Sequence, residues 1–102
     1  MAMMYDVTIL PGAKQNLLDV TEYLSQFYPS TAEKFLKNLH KKLSLLQEQP
    51  HIGAKYIPNP KYRKLVVGDY LAFYIVDEEH KKVEIYRVLR SSWDIERHLT
   101  DD

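Results

Sequence analysis

The chain lacks cysteine, has only three glycines in 102 residues, and carries no net charge, with fourteen Lys and Arg balanced by fourteen Asp and Glu. Each absence excludes something. Without thiols there are no disulfide staples, no cysteine-based zinc site and no thiolate nucleophile, and a reducing, cytoplasmic setting is expected. Three glycines leave no Gly-rich phosphate loop and no nucleophile elbow. No window approaches the roughly 20 apolar residues needed to span a bilayer, and the start MAMMYDVTIL has no basic n-region, so neither export nor membrane insertion is expected. His40, His51, His80 and His98 stand apart, with no i, i+4 partner, so the sequence implies no metal and no cofactor. Zero net charge excludes a global electrostatic grip on nucleic acid. Any such grip must be local. The cations are in fact uneven: Lys55, Lys61, Arg63 and Lys64 lie between Gln49 and Gly68 with no acid among them, whereas Asp77, Glu78 and Glu79 cluster in one later turn.

What is present suffices for one globular domain over residues 1–102, with 45% apolar residues and 27% charged. Tyr5 to Ile9 alternates apolar and polar residues and predicts a short half-buried strand, ended by Pro11-Gly12. From Ala13 the apolar positions Ala13, Leu17, Val20, Leu24 and Phe27 advance by four and three, the period of one helix face. Pro29 interrupts. Ser30-Thr31-Ala32-Glu33 has capping-box spacing and predicts a second helix with Ala32, Phe35 or Leu36, Leu39, Leu43 and Leu46 inward, stopped by Pro50. So short a link predicts an antiparallel helical hairpin.

Gly53, Pro58 and Pro60 then deny regular structure to about a dozen residues. Tyr62 to Val67 reads as a strand, Gly68-Asp69 as a tight turn, Tyr70 to Val76 as a central strand apolar on both faces, and Lys82 to Leu89 as a third. A last short helix is expected to start near Ser91 or Ser92, where Ser91-x-x-Asp94 again fits a capping box. The expected fold is α+β: an N-terminal strand, an antiparallel helical hairpin on one face of a mostly antiparallel sheet, a three-stranded meander and a C-terminal helix.

The groups with chemical content are cations and tyrosines on the strands. Arg63 and Lys64 open the meander, Tyr70 and Tyr74 sit on its middle strand, and Tyr86, Arg87 and Arg90 on its last. Two readings are open. Either a basic sheet face holds a polyanion with tyrosines stacking on bases, or the tyrosines complete the core while the cations are solvated. Neutral net charge favours the second. Strand alternation sends Arg63 and Lys64 to opposite faces, and likewise Tyr86 and Arg87.

Four stretches, in order over nearly the whole chain, carry a resemblance: Y-D-V-T-I-L-P-G-A; A-E-K-F-L with L-H-K-K-L-S-L-L and Q-P-H-I-G; Y-R-K-L-V-V-G-D-Y-L-A-F-Y-I-V; and V-E-I-Y-R-V-L-R-S-S-W-D-I-E. Together they resemble the RelE/ParE superfamily of type II toxin–antitoxin toxins, also known as the plasmid-stabilisation protein family. The resemblance implies a growth-inhibiting toxin neutralised by a cognate antitoxin, acting either on DNA gyrase or, as an endonuclease, on messenger RNA in the ribosome. For a nuclease, the candidate catalytic residues are Arg63, Lys64, Arg87 and Arg90. In-line attack by a ribose hydroxyl needs a base, a cation for the developing charge and an acid for the leaving oxygen. Where the family's nucleases often carry arginine after the middle-strand tyrosine, this chain has Leu71, and Ser91, Ser92 and Trp93 occupy positions that are often basic. The final helix has no tyrosine. These departures imply the ParE-like branch, with a ribosome-dependent nuclease or a degenerate antitoxin-binding protein as alternatives. They also imply that Ser91-Ser92-Trp93 is a contact surface rather than a catalytic cluster.

Overall fold

The computed structural model describes residues 4–93 and 95–100. Strand β1 (Asp6–Ile9) is followed by helices α1 (Pro11–Ser25) and α2 (Pro29–Glu48), strands β2 (Ala54–Lys55), β3 (Arg63–Val67), β4 (Tyr70–Asp77) and β5 (Lys82–Arg90), and helix α3 (Ile95–Thr100). The sheet order is β1-β5-β4-β3-β2. All neighbours are antiparallel except β1 and β5, which run parallel, because the helical hairpin carries the chain back across the sheet after β1. The α+β fold expected from the sequence is the one observed.

Central β4 has a core on each face. Tyr70, Ala72 and Tyr74 face the hairpin and pack with Val20, Phe35, Leu39 and Leu46. Phe73 faces the other way, into a smaller cluster with Tyr62, Leu89 and Leu99, flanked by Leu71, Ile75, Tyr86 and Ile95. Period-2 alternation along β4 therefore divides its apolar run between two cores. The tyrosine bodies are core material. Gly68, at φ 61°, takes the first central position of the two-residue β3–β4 turn, where positive φ matches the right-handed strand twist.

Three expectations need correction. The helices begin on their prolines: Pro11 and Pro29 are the first helical residues, behind Leu10 and Tyr28, and no side-chain cap bond forms, so Ser30 and Glu33 make no capping box. Proline at the first position has its φ preset and gives up an amide hydrogen that would be unpaired there anyway. The segment after Pro50 contains a strand after all, since Ala54 and Lys55 pair with Lys64 and Arg63. α3 begins at Ile95 rather than at the serines; Ser91 instead extends the β4–β5 hairpin by donating its N–H to the Asp69 carbonyl at 2.9 Å, and Asp94 lies outside the described residues.

β5 carries an irregularity that strand periodicity does not show. Tyr74 pairs with Ile85 and Phe73 with Arg87, leaving Tyr86 as an extra residue in a β-bulge. Strict alternation from Val83 and Ile85 would put Val88 and Arg90 on the α3 face. After the bulge, Val88 instead joins the hairpin-side core and Arg90 reaches Tyr23 of α1.

Candidate functional site

The four candidate cations do not share one site. Arg63 faces the hairpin side and is tied into the backbone, with Nη1 donating to the Gly53 carbonyl at 2.8 Å and to the His51 carbonyl at 3.3 Å. Lys64 pairs with Phe73 and so points to the α3 face. Arg87 donates to its neighbour's carbonyl, Tyr86 O, at 2.8 Å. Its guanidinium reaches the start of α1, where Nη1 lies 2.0 Å from the place a Cβ on Gly12 would take. Arg90 closes β5 opposite Tyr70, four residues along β4 from the row that holds Arg63 and Tyr74. At strand rise that is about 13 Å.

Around Arg90 the structure does form a cleft. β1 stops pairing with β5 at Ile85, and α1 takes over its edge: the Leu10 N–H donates to the Ile85 carbonyl and the Val88 N–H to Asn16 Oδ1, both at 3.0 Å. Beyond that clamp, α1 and the ends of β4 and β5 enclose about 210 Å³ between Val20, Tyr23, Tyr70, Val88, Trp93 and Arg90, with Asn16 and Asp19 on the α1 side. Asn16, Val20 and Tyr23 advance by four and three along α1, which places them on one face.

Arg90 lies over the Tyr23 ring, 5.6 Å from its centre, and donates to the Tyr23 hydroxyl at 3.4 Å. That hydroxyl raises the guanidinium pKa above its ordinary value. Among the described residues Arg90 makes no ion pair. Burial raises the Tyr70 hydroxyl pKa, partly opposed by Arg90. Phe27 packs edge-on against Tyr23 at 5.2 Å, and Trp93 lies against the His98 ring at 5.0 Å. Both Phe27 and Trp93 are exposed, at 57% and 46%.

A second polar cluster joins segments far apart in sequence. Glu78, in the β4–β5 turn, accepts from the Tyr5 hydroxyl at 2.7 Å and pairs with His51, while Lys81 lies over the Tyr5 ring. Donation from Tyr5, reinforced by His51, holds the Glu78 carboxyl below its ordinary range. His80 pairs with Asp77, whose carboxyl is lowered chiefly by the His80 backbone N–H. Two histidines that stand apart in the sequence therefore have carboxylate partners. Among the described residues no three His, Cys, Asp or Glu side chains converge as metal ligands, and no helix is long and apolar enough to cross a membrane.

The sequence reading missed Asn16, Asp19 and Tyr23 as site residues. Their helical spacing beside the apolar face was the available signal. Nothing local in the sequence marks the grouping of Tyr5, His51 and Glu78, which lie up to 73 positions apart.

Comparison with known proteins agrees with this architecture. A chain of the chromosomal ParDE toxin–antitoxin system from P. aeruginosa superposes with a TM-score of 0.71 at 21% identity, covering 86% of this chain and 97% of that one. A chain of the RelBE2 toxin–antitoxin complex from Mycobacterium tuberculosis superposes with a TM-score of 0.55 at 19% identity, covering 85% and 98%. At these identities the likeness is one of fold. No curated protein sequence matches. Residues 7–95 match the profile of the ParE toxin of the type II toxin–antitoxin system, parDE. With most of its length matched, including both helices of the hairpin and every strand of the meander, the chain belongs to the ParE toxin family of type II toxin–antitoxin systems.

Proposed function

We propose that this toxin arrests growth by binding DNA gyrase and is neutralised by a cognate antitoxin. The observation that carries the reading is the match to the ParE toxin family over residues 7–95. The dispersal of the cations supports it. Cleavage of RNA through a ribose 2′ hydroxyl needs base, cation and acid within reach of one phosphate. Here Arg63 is occupied by two loop carbonyls, Lys64 points to the α3 face, and Arg90 sits on Tyr23. Tyr74, the tyrosine nearest Arg63 in the register, is fully buried, and its hydroxyl is taken by the backbone. An arrangement of this kind suits binding better than phosphoryl chemistry.

Purified toxin is expected to inhibit gyrase supercoiling, and expression without antitoxin to stop growth, while messenger RNA in the ribosomal A site stays uncut. Intact supercoiling together with A-site cuts that disappear in Arg63→Ala or Arg90→Ala would transfer the protein to the nuclease reading. Growth unaffected by expression would leave only an antitoxin-binding role.

A further inference from the structure

We infer that the cleft between α1 and the ends of β4 and β5 is the anchor site for the antitoxin, receiving one bulky apolar side chain with an acidic residue beside it held by Arg90. The inference rests on the proposed antitoxin partnership and adds where and by what chemistry the partner is gripped.

Size comes first. A volume of about 210 Å³ lies below the roughly 300–1,000 Å³ of pockets for cofactors and drug-sized ligands, and suits a single side chain. The floor and walls, Val20, Val88, Tyr70, Tyr23 and Trp93, are apolar or aromatic and would dehydrate such a group. Trp93 of the lining stays exposed, and so does Phe27 against Tyr23, although each already packs against a ring. Large aromatics and arginine are the residue types that most often dominate binding energy at interfaces.

Charge selects the neighbour. Arg90 is preset by stacking on Tyr23 and feels the field of the Asp69 carboxylate, yet no carboxylate among the described residues forms an ion pair with it. A planar guanidinium with free donors beside an apolar cleft matches a carboxylate in two-point contact. Asp19 lines the α1 side, with Oδ1 accepting from Gln15 Nε2 at 3.0 Å, so an incoming acid is repelled there and directed to the β5 side. The cleft thus has a polarity. It favours an acidic-apolar segment over a basic one or over a nucleic-acid base.

Trp93 is the only tryptophan of the chain and a natural reporter. The probe is the product of the reading frame adjacent to this gene, with its own tryptophans replaced by phenylalanine, titrated into the toxin. Binding is expected to change Trp93 emission. Arg90→Gln should weaken the complex by about tenfold or more, and Arg90→Lys by an intermediate factor, because lysine keeps the charge and loses the planar fork. Tyr23→Ala should weaken it as well. Leu36→Ala, at an exposed position of α2 that does not line the cleft, controls for general surface effects. Thermal melts of each variant separate lost binding from lost folding.

If the neighbouring protein binds and neutralises the toxin while Trp93 emission and the Arg90→Gln affinity are unchanged, the anchor site is refuted and the partnership stands. If that protein neither binds nor neutralises, the partnership itself fails, and the anchor site with it. Self-association of the free toxin that Arg90→Gln abolishes would assign the cleft to a second copy of this chain and overturn the inference.

Discussion

Tyr70 and Tyr74 lie on the same face of the same strand, four residues apart, and differ in what surrounds their hydroxyls. The Tyr74 ring is fully buried. Its hydroxyl donates to the Pro50 carbonyl and accepts from the Gly53 N–H, both at 2.9 Å, and burial raises its pKa. Tyr70 packs edge-on against Phe35 but turns its polar end into the cleft, where no hydrogen-bond partner is found among the described residues. Near Tyr74 the polar groups are satisfied internally, and Arg63 and the His51–Glu78 pair hold the same loop. Near Tyr70 an arginine, a tryptophan and a hydroxyl retain binding capacity. One end of the strand serves stability and the other is available for recognition.

The largest effects should come from breaking the satisfied end. Tyr74→Phe leaves the buried Gly53 N–H and Pro50 carbonyl without their partner and should cost about 1–3 kcal/mol in urea unfolding, whereas Tyr70→Phe should stay within about 0.5 kcal/mol of the parent. Equal losses at the two positions would remove the contrast. Glycine gives a parallel pair. A Cβ on Gly53 would lie 2.6 Å from the Tyr74 hydroxyl and 2.7 Å from the Lys64 carbonyl, and a backbone atom cannot easily yield. Gly53→Ala should therefore destabilise by about 1–3 kcal/mol. On Gly12 a Cβ meets only the movable tip of Arg87, and the better helix propensity of alanine, worth up to about 1 kcal/mol, offsets the displacement. A thermal melt of Gly12→Ala should be nearly unchanged.

The smallest effect is on pH dependence. Because the folded-state Glu78 carboxyl titrates below its ordinary value of 4.5, its contribution is full above that value and lost as pH falls through it toward the folded-state pKa. Tyr5 is the main donor, so Tyr5→Phe should flatten the loss of stability as pH falls below the ordinary carboxyl value of 4.5. Glu78→Gln should flatten it further. A slope that stays the same in both variants would show that the cluster is not coupled to folding.

Much of this was legible in the chain. The four-and-three spacing from Ala13 to Leu24 marked the buried side of α1, although the same spacing ran on to Phe27, which is exposed beyond the end of the helix, and the unbroken apolar run of β4 marked a central strand with apolar groups on both faces. These signals are local, since hydrophobic period depends only on backbone geometry. Proline was misread for the same reason. It breaks a helix interior but favours a first turn, and only the surrounding packing tells the two apart. The family resemblance located the basic positions without showing how far apart folding would place them.

Local patterning in the chain was enough for β1, the helical hairpin, the three meander strands and the resemblance to the toxin family, but not for β2 or for the second core on β4. Tertiary structure decided the site. A single bulge at Tyr86 shifts the register of β5 by one residue and carries Arg90 to the α1 face, and strand periodicity cannot foresee it, because one inserted residue reverses every side chain beyond it. Where β1 ends and Asn16 takes over the edge of β5 is likewise a matter of packing. These two choices, made by contacts between residues distant in sequence, turn a strand end with an arginine into a cleft that a partner can enter.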